Sequence, residues 1–175
     1  TLDRSSAASD VYKRQAHATA DAARALLRDA IDSLADGFAL FDAEDRMVLC
    51  NRAFLKMFPW FEPMRDSAPA FAEMARRMAE AGATIGSRIA PDRWLRDRMA
   101  QHREARGAHV QALADGRWIQ INELRTSGGG IVGIYTDVTM VKAEDARQRA
   151  RELGERNLAL QTTLDTLSEG CLLYT

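Results

Sequence analysis

The stretch Asp29 to Phe54, "DAIDSLADGFALFDAEDRMVLCNRAF", changes its hydrophobic period twice and so carries several elements. Its first residues close a helical pattern. Ala23, Leu27, Ala30, Ile31 and Leu34 recur at helical spacing, with Asp21, Arg24, Arg28 and Asp32 on the other faces, which predicts an amphipathic helix over 20–34. "GFALF" (37–41) and "MVLC" (47–50), rich in apolar and aromatic residues, flank the acidic turn "DAEDR" (42–46) as the two strands of a hairpin. Asn51 then stands where the helix "RAFLKMF" (52–58) needs an acceptor for its free amides, and Pro59 closes that helix.

Downstream, two further helical patterns follow. Residues 70–81 place Phe71, Met74, Ala75 and Met78 on one side, and residues 92–106 place Trp94, Leu95, Met99 and His102 together, with Pro91 suited to the first turn. Beyond Gly107 the pattern becomes that of strands: "HVQAL", the turn "ADG" (114–116), "RWIQINELRT", the glycine turn "SGGG", and "IVGIYT". Five short strands, two before a helical insert and three after it, predict an α+β fold built on an antiparallel sheet.

From Val138 to Leu167 there is no proline, and apolar or small residues recur at steps of three and four. The heptad seam takes Ala143, Ala150, Asn157 and Leu164 at a and Ala146, Leu153, Leu160 and Leu167 at d. Flanking Glu144, Arg147, Arg149, Arg151, Glu152, Glu155 and Arg156 suit a solvated coiled-coil surface. Asn157 at an a position is costly except opposite its twin, so it selects register and a parallel homodimer. Gly154 weakens the helix by roughly 1 kcal/mol relative to Ala.

The charge balance narrows the partners. Lys plus Arg number 24 and Asp plus Glu 25, a net charge of −1, so no general attraction to nucleic acid or anionic lipid is expected. No apolar run reaches the roughly 20 residues of a membrane helix, and the chain is expected to be cytoplasmic. Cys50 and Cys171 form neither a disulfide framework nor a metal spacing.

The two ends read differently. "SSAASDVYKRQ" (5–15) can be encoded by a sequence that resembles a sequencing-library adaptor carrying a transposon end, and part of its reverse complement translates as "CLLYT" (171–175). Residues 1–15 and 171–175 are therefore read as non-native. Between them, "ALQTTLDTLSEG" (159–170) repeats the pattern of "LLRDAIDSLADG" (26–37), pairing Ile31-Asp32-Ser33-Leu34 with Leu164-Asp165-Thr166-Leu167 and Gly37 with Gly170.

Residues 29–54, "DGRWIQINELRTSGGGIVGIYTDVT" (115–139) and the trailing helix together resemble a PAS sensory domain, of the kind found in bacterial sensor histidine kinases. The resemblance covers about residues 24–140. It implies a five-stranded antiparallel sheet with helices on one face around a small pocket. "DVT", Asp137, Val138 and Thr139, is similar to the family's exit motif, which joins the last strand to a signalling helix. Independently of the family, Asp137 or Thr139 can cap a helix beginning near Val138. The expected organisation is an N-terminal helix over 16–36, a PAS domain over 37–137, a coiled-coil signalling helix over 138–167, and the start of a truncated second PAS domain over 160–170.

The pockets of some PAS relatives hold haem, flavin or small metabolites. Cys50 lies at a strand end, outside the helix that carries the flavin-reactive cysteine of the photosensory relatives, and reads as inert. His102 and His109 lack a haem motif and read as packed or surface residues. Arg93, Arg96, Arg98, Arg103 and Arg106 are interleaved with Asp92, Asp97 and Glu104, the pattern of a solvated, salt-bridged face. "SGGGIVG" sits between strands, as a hairpin turn does, and no nucleophilic triad, paired carboxylates or metal site is apparent. Haem and flavin are thus not expected, no cofactor is predicted, and an unknown small ligand stays open. The chain is expected to be a non-catalytic sensory and dimerising module that passes pocket or sheet changes through its coiled coil to a downstream output domain. Resemblance makes the parent a histidine kinase, which phosphorylates its own His and then a response regulator. A diguanylate cyclase parent, a stand-alone ligand or cofactor receptor, and a transcriptional regulator are the alternatives.

Overall fold

The computed structural model describes the backbone of residues 2–172 and the side chains of residues 13, 15–65, 67–156 and 158. In chain order the elements are helix α1 (Leu2–Asp32), strands β1 (Gly37–Phe41) and β2 (Met47–Cys50), helix α2 (Arg52–Met57), a 3-10 segment (Pro59–Ser67), helices α3 (Phe71–Glu80), α4 (Ile85–Ile89) and α5 (Pro91–Glu104), strands β3 (Ala108–Ala112), β4 (Trp118–Arg125) and β5 (Ile131–Asp137), and helix α6 (Thr139–Leu172).

The strands form one antiparallel sheet in the order β2-β1-β5-β4-β3, so the N-terminal hairpin joins the C-terminal meander where β1 pairs β5, Gly37 opposite Tyr135 and Phe41 opposite Ile131. Alternation assigns the two faces of this sheet. Ala39, Phe41, Ile119, Ile121, Ile131 and Tyr135 are buried, whereas Phe38, Leu40, Val132 and Ile134 between them are half-buried. Against the buried face pack Phe54, Phe58, Phe61, Phe71 and Met74 from the connecting helical segments. Phe54 meets Phe58, Phe61 and Tyr135 at ring-centroid distances of 5.0, 5.6 and 5.0 Å, the last two edge-on, as aromatic quadrupoles prefer.

Asn51 holds the hairpin, α1 and α2 together. Its Oδ1 accepts from the amides of Phe54 and Phe38 at 2.9 and 2.8 Å, and its Nδ2 donates to the carbonyls of Ile31 and Asp36. The cap expected from sequence is thus also the clamp between three elements. The helical insert holds more than the two helices the periodicity predicts, since the 3-10 segment and α4 are too short to show a period. α4 is set by a capping box, with the Thr84 side chain accepting from the Ser87 amide and the Ser87 hydroxyl from the Thr84 amide.

The leading helix begins at Leu2, upstream of its predicted start, and takes in the residues read as non-native. Leu26 and Leu27 on it are exposed, whereas Ile31 near its end is half-buried. Among the described residues no helix is long and apolar enough to cross a membrane.

Candidate functional site

Between the sheet and the insert lies a cavity of about 20 Å³, room for one water-sized molecule. Phe54, Phe58, Met74 and Met78 supply apolar wall, and Arg98, Gln111 and Tyr135 also line it. Two unbranched methionines make that wall adaptable. Burial pushes the Tyr135 phenol well above its ordinary range, so it stays a neutral hydroxyl.

Beside the cavity runs a buried polar chain. Glu123 is the third inward position of β4 after Ile119 and Ile121, and its carboxylate takes both guanidinium nitrogens of Arg98, at 2.9 and 2.6 Å. His102, one helical turn beyond Arg98 on α5, places Nδ1 at 2.7 Å from Glu123 and Nε2 at 2.7 Å from Asp45 in the β1–β2 turn. Phe71 stacks on His102 with ring centroids 3.5 Å apart and also lies under the Arg98 guanidinium. Burial alone would raise the Glu123 carboxyl, but hydrogen bonds from His102 and Arg98 outweigh it and hold the group at about 2. On β3, His109 Nε2 is buried without a partner among the described residues; burial, reinforced by the Arg98 charge, lowers that imidazole to about 4.

The exit from the sheet is a tight junction. The Asp137 carboxylate accepts from the amide and hydroxyl of Thr139, the Thr139 hydroxyl accepts from the amide of Trp118, and the Val138 amide donates to the Trp118 carbonyl at 2.8 Å. Hydrogen bonding to the Thr139 side chain, then to its amide, pulls the Asp137 carboxyl below its ordinary value. The first turn of α6 is therefore bonded to the first residue of β4, and Lys142 lies 5.9 Å over the Trp118 ring.

The family described as PAS fold matches residues 31–146, spanning the hairpin, the insert, the meander and the exit. The chain belongs to the PAS family. A curated relative, the non-motile and phage-resistance protein of Caulobacter vibrioides, is 35% identical over 159 residues, which are 90% of this chain and 17% of that protein. The chain thus spans about a sixth of the length of the relative it matches. Among solved structures it is similar to the PAS domain of an HTR-like protein from Haloarcula marismortui, at 11% identity and a TM-score of 0.45, covering 71% of this chain and 98% of that one. It is also similar to a domain of a sensory box sensor histidine kinase/response regulator from Geobacter sulfurreducens, at 19% identity and a TM-score of 0.39 over 68% and 94% of the two chains.

The PAS domain brings Asp137, Val138 and Thr139 together at the junction, with the helix starting at Thr139. Of the predicted seam, Ala143 is half-buried, whereas Ala146, Ala150 and Leu153 are exposed. The side chains of Asn157, Leu160, Leu164, Leu167 and Cys171, and those of the 160–170 repeat, lie outside the described residues. Cys50 ends β2, where burial pushes its thiol up to about 11, far from a reactive thiolate. The solvated face expected of the α5 arginines holds only in part. Arg93, Arg96, Arg103 and Arg106 do face solvent, but Arg98 is buried. Its partner is 25 residues away on another element, so local charge spacing could not reveal it. The available signal was Glu123 itself, a carboxylate on the inward phase of "WIQINEL", which requires a buried cation opposite.

Proposed function

We propose that this PAS domain is a sensory and dimerising module of a bacterial signalling protein, most naturally a sensor histidine kinase working in a phosphorelay. A change at the cavity or the sheet reaches Asp137, Val138 and Thr139 and alters the geometry of α6 relative to a second copy of itself. Output domains downstream of α6 then respond. The observation that carries this reading is the junction: the 34-residue α6 takes its first hydrogen bonds from a core strand, and Ala146, Ala150 and Leu153 of its heptad seam are open to a partner. PAS membership supports the sensory role, and the seam supports the parallel dimer. The kinase parent is supported by resemblance, in that the order PAS domain, exit motif and coiled-coil helix is the one such kinases use.

The test is made on the uninterrupted parent protein. Incubated with ATP, it is expected to phosphorylate one of its own histidines, and Asp137→Ala with Thr139→Val is expected to change the rate of that reaction while the PAS domain stays folded. A parent that carries no phosphate on histidine would remove the kinase reading. A double variant that matches the unaltered rate would remove the exit role.

A further inference from the structure

His102 has no solvent exposure, and both of its ring nitrogens meet carboxylate oxygens at 2.7 Å. An ionised carboxylate only accepts, and a neutral imidazole has a single N–H. The two contacts therefore need two protons. Glu123 is held ionised by its two-point pair with Arg98 and Asp45 is partly open to water, so both protons are assigned to the ring. With Arg98 the chain then holds two cations and two carboxylates and carries no net charge.

The surroundings of the ring fit that balance. The β1–β2 turn presents Asp45, β4 presents Glu123, and α5 itself presents Arg98. Tyr135 of β5 and His109 of β3 lie within the field of Arg98 and Glu123. From α3 and β1 come only the uncharged rings of Phe71 and Phe41.

We propose that Asp45, His102 and Glu123 form a proton-dependent latch, in which the doubly protonated ring of His102 fastens the β1–β2 turn to the insert and the sheet. The contacts form a closed circuit. The Asp45 carbonyl accepts from the Phe71 amide at 2.9 Å, the Phe71 ring stacks on His102 at an interplanar angle of 7°, and His102 returns to the Asp45 carboxylate. Asp45 holds a left-handed backbone, φ 62°, which a residue other than glycine adopts at a cost that local contacts must offset. Loss of the Nε2 proton sets two lone pairs against each other. Asp45, whose side chain is 36% exposed, then turns to water. Phe71 and Arg98 both line the cavity, so release of the turn reaches the cavity wall. The latch gives the proposed sensory module a pH input; its biological meaning rests on that reading, whereas the latch itself is measurable on this chain alone.

The experiment is nitrogen-15 NMR of the histidine-labelled chain, with amide hydrogen exchange of Phe71 corrected for its intrinsic pH dependence. At about pH 7 both ring nitrogens of His102 are expected to carry protons, and as alkali removes one, Phe71 protection is expected to fall by about tenfold. Asp45→Asn, which preserves the shape of the turn, is expected to lose one ring proton at neutral pH and to show low Phe71 protection throughout. A bare ring nitrogen on His102 at about pH 7 in the unaltered chain overturns the latch. So does Phe71 protection that stays level while the ring loses its proton.

Discussion

Asn51 shows how much one side chain can hold. With four side-chain hydrogen bonds and no exposure, it caps α2, anchors β1 and donates to one carbonyl at the end of α1 and one in the α1–β1 connection. Asn51→Ala is expected to cost about 3 kcal/mol, a lost cap together with the lost acceptor of the Phe38 amide and the lost donor to the half-buried Asp36 carbonyl, read as a lower urea midpoint at unchanged slope. Arg98→Met, leaving the Glu123 carboxylate buried with only His102, is expected to destabilise by about 3 kcal/mol, and Arg98→Met with Glu123→Leu by less than the single change. The buried titratable groups also set the response to acid. His109 is lowered to about 4 and Glu123 to about 2. In the unfolded chain both bind protons more readily, so the stability these two groups contribute is fully present above about pH 6.5 and declines as pH falls first through the histidine window and then through the carboxylate window. Thermal melts across that range check this, and a midpoint that is flat down to pH 4 or so would contradict it. The cap role of Asn51 was legible in sequence because its main partner is three residues away. The Arg98–Glu123–His102–Asp45 chain was not, since its partners lie 21 to 57 residues apart and meet only once the sheet has formed.

At the scale of elements, β1 and β2 coincide with "GFALF" and "MVLC", because a hairpin closed by a short acidic turn is specified by neighbouring residues. α3 and α5 were legible from apolar spacing, and α6 from its unbroken heptads. The 3-10 segment was not: it carries Pro63 inside it and has no helical period to read. The "SGGG" turn sets the register of β4, β5 and β1. A β-carbon on Gly130 would run into the Phe41 carbonyl oxygen. Gly130→Ala is therefore expected to cost about 2 kcal/mol by forcing the β1–β5 pair apart. Gly128→Ala, whose added carbon would meet only the edge of Thr126, is expected to leave the chemical-denaturation midpoint nearly unchanged, and equal losses at the two glycines would contradict this assignment.

For the whole molecule, the sheet and insert form a closed unit while the two long helices carry apolar residues outward. Leu27 on α1 is 64% exposed and Leu153 on α6 is 59% exposed. Burying such side chains against a partner is worth about 2 kcal/mol each, the gain on which the proposed dimer would draw. The central claim is that a PAS domain acts through a dimeric exit helix, and sedimentation equilibrium of the 175-residue chain tests it most directly. The account predicts a reversible dimer at micromolar concentration that Leu153→Asp dissociates while leaving the fold intact. A chain that sediments as a single monomer throughout that range would contradict it.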